Sequence, residues 1–131
     1  MLVTEKELVF LKTLPIWAMG FAQIRLSKTM LDKSIIDANK SVRDLALNFG
    51  IDFDKMKNGD KYEVLARFDD TNQESVVRFY KTINRGDRRV SIKNIKQYAS
   101  IGDLIALSAC LPKDDNKDII IINVTRRADN E

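Results

Sequence analysis

The chain has 131 residues, 44% of them apolar and 31% charged, with a formal net charge of +3; this suits one globular domain that buries a core without disulfides or metal. It contains no histidine and a single cysteine, Cys110, which excludes histidine-activated nucleophiles, histidine-ligated zinc and histidine-dependent nuclease chemistry. The lone thiol, inside the apolar run 107–111, reads as core filler in a reducing cytoplasm.

In chain order, Thr4-Glu5-Lys6-Glu7 is a capping-box signature, and Leu8, Phe10 and Leu11 give a short helix its apolar face before Pro15 ends it. The apolar stretch 14–22 contains Pro15 and Gly20 and follows Glu5 and Glu7. It is too short for a membrane span and wrongly charged for a secretion signal, so a cytoplasmic protein without membrane contact is expected. Residues 16–24, with Trp17 and Phe21, read as a buried strand. That strand runs into Arg25-Leu26-Ser27-Lys28-Thr29, a polar and basic stretch expected to be an exposed strand end or arm. Ser41 begins a second helix with Leu45, Leu47 and Phe49 in its body and Gly50 as its stop. Residues 52–60 form a loop. Asp52-Phe53-Asp54 has the opening of a calcium loop, but Met56 and Lys57 stand where oxygen ligands belong, so no metal is expected.

Residues 61–69 alternate, with Tyr62, Val64, Ala66 and Phe68 inward, Lys61, Glu63, Arg67 and Asp69 outward, and Leu65 out of pattern. An acidic connection, 69–74, leads to a second alternating strand, 76–82. Asn84-Arg85-Gly86-Asp87 is turn chemistry, and Arg88-Arg89-Val90-Ser91-Ile92 reads as the return strand. One or two helical turns over 93–98, a strand over 104–111, a hairpin tip at 112–118 and an isoleucine-rich strand over 118–124 complete the pattern. Six or seven short strands in mostly antiparallel hairpins, with two or three short helices, make the fold mainly β. A barrel or open pseudobarrel fits better than a parallel α/β sheet. The chain is expected to divide into an N-terminal helix (1–15), the barrel (16–125) and a polar tail (126–131), with a further domain expected after it.

Charge is unevenly spread. Residues 78–96 carry +6, with Arg78, Lys81, Arg85, Arg88, Arg89, Lys93 and Lys96 against the single acid Asp87, and residues 25–43 carry +3. Residues 44–77 carry −4 and residues 97–131 carry −2. A hairpin with cations at its tip and flanks can reach into a groove of a polyanion, and nucleic acid is the partner inferred. If the strands bearing the two basic segments lie side by side, Arg25, Ser27, Lys28, Thr29 and Lys33 form one arm. Arg78, Tyr80, Lys81, Asn84, Arg85, Arg88 and Arg89 form the other. Arginine pairs bidentately with guanine and asparagine with adenine, while Lys28, Lys81, Ser27 and Thr29 suit phosphate oxygens. Gly86 permits close approach of the turn, and Asp87 either holds a guanidinium in place or accepts from cytosine. A carboxylate-and-lysine nuclease would have only Asp115-Asn116-Lys117, on an exposed turn that makes a poor platform for Mg²⁺. No catalysis, cofactor or small-molecule substrate is expected of this chain.

The run Gln23-Ile24-Arg25-Leu26-Ser27-Lys28-Thr29 and the later run from Val77 to Ile92 resemble the N-terminal effector domain of EcoRII-type restriction endonucleases. Gly102-Asp103-Leu104-Ile105-Ala106-Leu107 and residues 119–124 fit that domain's closing strands. The domain belongs to the plant B-three-type DNA-binding pseudobarrel superfamily, whose modules are also fused to McrB-like restriction subunits of LlaJI type. The resemblance covers residues 16–124. It implies a seven-stranded open barrel that binds double-stranded DNA site-specifically, with residues 25–33 and 81–89 as two arms in the major groove and further domains of a restriction protein as partners. Thr29-Met30-Leu31-Asp32 departs from the Gly-containing first arm of that family, and the helix at 4–14 has no counterpart in the resemblance. Two other readings of the residues are a single-strand or RNA-binding barrel, which needs exposed aromatic platforms, and a module whose basic face meets an acidic protein.

Overall fold

The computed structural model describes residues 18–110 and 119–126. The helix expected at 4–14, the tip at 112–118 with Asp115, the tail beyond Arg126 and the side chain of Cys110 lie outside the described part. Seven strands form one sheet: β1 (Ala18–Arg25), β2 (Ile36–Asp37), β3 (Lys61–Phe68), β4 (Glu74–Lys81), β5 (Arg88–Ile92), β6 (Leu104–Cys110) and β7 (Ile119–Thr125). Their order is β1-β6-β7-β3-β4-β5-β2. The pairings are antiparallel except β3 with β7, which is parallel. The sheet is therefore mixed, and it curls into a half-barrel around one core. Three short helices, α1 (Lys28–Lys33), α2 (Lys40–Leu47) and α3 (Ile95–Tyr98), and a 3-10 turn (Phe53–Lys55) fill the connections. Among the described residues, no helix is long and apolar enough to cross a membrane.

Alternation in the sequence builds the core. Ala22 and Ile24 of β1, Val64, Ala66 and Phe68 of β3, Val77 and Phe79 of β4, Val90 and Ile92 of β5, Ile105 and Leu107 of β6, and Ile120 and Ile122 of β7 all point inward and are buried. The successive isoleucines of β7 thus split between the interior and the outer face, as a period of two requires. Leu65 stands outward, 57% exposed. Tyr62, expected inward, is 47% exposed; it lies at the start of β3, whose first three residues are all exposed.

Two local expectations need correction. Residues 28–33 are a helix, not an exposed strand end. Ser27 caps it, its Oγ accepting from the Met30 N–H at 3.2 Å, and Leu31 plugs the core. Ser34, in the left-handed conformation at φ 54°, turns the chain into β2. The second helix starts at Lys40, one residue before Ser41, because Asn39 takes the cap: its Oδ1 accepts from the Val42 N–H at 2.9 Å. Asn39 and Ser41 together bridge to the free edge of β1. Asn39 Nδ2 donates to Gln23 O at 3.0 Å and Gln23 N donates to Ser41 Oγ at 3.2 Å. At Gln23 side chains thus take the place of a neighbouring strand, satisfying one residue's backbone N–H and C=O on the open edge.

Candidate nucleic-acid interface

The β4–β5 hairpin is braced at its tip. Thr82 N donates to Asp87 O at 3.0 Å and Gly86 N to Thr82 O at 3.1 Å, closing a loop of Ile83, Asn84, Arg85 and Gly86. Thr82 Oγ1 also accepts from Asp87 N at 2.9 Å. The preceding turn supports it from below: Gly59 N donates to Lys81 O and Lys81 N to Asp60 O, each at 3.0 Å. Gly86 lies at φ +70°, and a Cβ there would meet Asn58 Oδ1. The left-handed turn favours glycine, while the close approach meets only the far end of the exposed Asn58 side chain, which can swing aside. Gly86→Ala is accordingly expected to cost about 1–2 kcal/mol of stability, read by urea denaturation. Adding Asn58→Ala should return only the steric part of that loss.

The outer flank of the hairpin carries five cations, each held differently. Arg78 is clamped across the sheet, Nε and Nη2 donating to Glu63 Oε2 at 3.0 and 2.7 Å. Arg89 is the least exposed, with 17% of its side chain accessible. Its Nη2 donates to Asp87 Oδ2 at 3.0 Å, and its Nε lies 3.1 Å from Asp37 Oδ1. The Nε hydrogen does not point at that oxygen, so the second contact is an ion pair rather than a hydrogen bond. Asp87 therefore takes the first of its two expected roles and holds a guanidinium. Arg88 is looser, 3.7 Å from Asp54, and Lys81 Nζ donates to Met56 O at 3.1 Å. Asn84 and Arg85 are exposed at the apex, and Arg85 has no partner among the described residues. Behind the apex, an open concavity of about 560 Å³ is lined by Lys61, Arg78, Tyr80, Asn84, Arg85 and Arg89, with Ile83 on its rim. Phe79 faces the core, which leaves Tyr80 as the one aromatic of the pair on the outer flank.

The first basic group lies elsewhere. β1 and β4 are separated in the sheet by β6, β7 and β3, so the strands bearing the two groups do not lie side by side. β2 runs antiparallel to β5, Ile36 opposite Val90 and Asp37 opposite Arg89. Consequently α1 precedes β2 at the Ile92 end of β5, while the hairpin tip stands at the Arg88 end. The five residues of β5, with Ile92 opposite Val77 and Arg88 opposite Lys81, set the two ends of that strand roughly 13 Å apart at about 3.3 Å per residue. Arg25 is exposed and donates through Nη1 to Gly102 O at 2.9 Å. Lys28 pairs with Asp32 one helical turn on. Thr29 and Lys33 are exposed on α1, and Ser27 is used as its cap.

Sequence reasoning missed Ile83, Lys61 and Asp37. Lys61 belonged to an alternating strand with no charge cluster of its own, and the Asp37–Arg89 contact joins residues far apart in sequence. Lys93 and Lys96 were counted in the basic span without a role; both are exposed at the Ile92 end of β5, the end that α1 occupies. No group of three or more Cys, Asp or Glu suited to a metal ion stands among the described residues.

No family model matches the chain, and no curated protein does. Among solved structures it is similar to the N-terminal domain of Helicobacter pylori LlaJI.R1. That similarity has 17% identity and a TM-score of 0.47, and it covers 86% of this chain and 92% of the other. At this identity no residue role passes from that domain to this chain.

Proposed function

We propose that the chain is a site-specific double-stranded DNA-binding domain, the recognition part of a restriction-system protein whose cleavage or motor chemistry lies in further domains. The duplex runs along β5 and β2. The hairpin apex enters the major groove, and α1 with Lys93 and Lys96 holds phosphates at the far end. The observation that supports this most strongly is the exposed Asn84 and Arg85 on a braced tip, set in a span carrying +6. An unpartnered arginine on a rigid support is pre-organised for a base edge, whereas its neighbours are already held by carboxylates. Single-strand binding would call for a stacking surface, and Tyr80 alone is a small one.

Salt dependence tests this reading. Six to eight phosphate contacts give log K against log salt a slope of about −5 to −7. A slope near zero, or single strands displacing duplex in competition, contradicts it.

A further inference from the structure

We infer that Ile83 reads the 5-methyl group of a pyrimidine, on thymine or on 5-methylcytosine, in the groove that the hairpin tip enters; this rests on the duplex-binding function proposed above. Six large apolar side chains are exposed among the described residues, and Ile83 is the most exposed of them at 77%. It is also the only one of the six within the basic span 78–96. Most of this aliphatic side chain, at the apex of a cationic hairpin, is left in water, and its hydration is unfavourable until a partner covers it.

The side chain is well placed for that role. Its backbone is held within the loop closed by Thr82 and Asp87, and it rests above the Gly59 turn, where a Cβ would stand 3.6 Å from Ile83 Cγ1. It follows Thr82 and precedes Asn84 and Arg85, so an apolar group and two polar readers occupy successive positions on one tip. Hydrogen-bonding side chains cannot recognise a methyl group. In the major groove, the 5-methyl of a pyrimidine is the apolar feature presented beside the donor and acceptor pattern, and it is read by apolar contact.

The experiment uses the full chain and the tightest-binding duplex recovered from a randomised pool. Each thymine in turn is replaced by uracil, and each cytosine by 5-methylcytosine. One replacement is expected to change affinity about fourfold, the effect of one buried methyl at ~0.8 kcal/mol: a loss on removing the methyl from thymine, or a gain on adding it to cytosine. Ile83→Ala should abolish that particular difference and leave the others intact, since an exposed tip side chain is not needed for folding. If the two changes act independently, or if no methyl replacement alters affinity, the inference fails while duplex binding stands. If no duplex is bound under any condition, both readings fail.

Discussion

Arg85→Ala is expected to lower affinity for the preferred duplex by about 1–3 kcal/mol and to erase the preference at one base pair, with little change on unrelated duplexes. Of the four arginines between 78 and 96, Arg78, Arg88 and Arg89 face Glu63, Asp54, and Asp37 with Asp87. Arg85 alone is without a carboxylate among the described residues and stands at the apex. A guanidinium reads guanine through two parallel donors, and lysine cannot reproduce that fork. Arg85→Lys should therefore keep the salt slope and still lose the discrimination. Lys81→Ala provides the contrast. Its ammonium is a point charge tied to the Met56 carbonyl, so its loss should weaken all duplexes alike. Competition binding against the four variants at each position separates these outcomes; a uniform loss from Arg85→Ala would assign it to the backbone.

Phe79→Ala is expected to cost about 3–5 kcal/mol, the largest stability effect among the substitutions considered. The ring is fully buried and meets Phe53 edge-on, with centroids 6.2 Å apart and an interplanar angle of 80°. It lies on β4 between Arg78 and Tyr80, so the same strand packs the core with one face and presents the candidate interface with the other. The denaturation midpoint should fall with the slope unchanged. A loss below about 1 kcal/mol would mean that the site had collapsed around the smaller side chain, contrary to close packing beneath the interface.

Much of the fold was legible because period-two alternation was strong where strands are buried on one face. Residues 88–92 were read with the bounds that β5 has, and the turn at 84–87 was read from its own chemistry. β2 was not legible, since two residues cannot display a period and its pairing with β5 is a tertiary contact. α1 was hidden for a similar reason. Its six residues are too few to display a helical period, although Ser27 offered a cap and Leu31 is the one residue of it that is buried.

The candidate site was legible as charge but not as free charge. Counting residues gives the span 78–96 a charge of +6. In the fold, Asp37, Asp54 and Glu63 arrive from other segments and partner three of its cations. Such neutralisation depends on register: Glu63 opposes Arg78, and Asp37 opposes Arg89. The cations left without a partner among the described residues are Arg85, Lys93 and Lys96, at the two ends of β5. That is a narrower and more directional surface than the composition implied.

Selection from a randomised duplex pool at physiological salt shows whether the hairpin tip reads sequence. Enrichment of one short motif, lost in Arg85→Ala, is the predicted result. A pool that emerges unenriched, or one from which only single strands are retained, would contradict it.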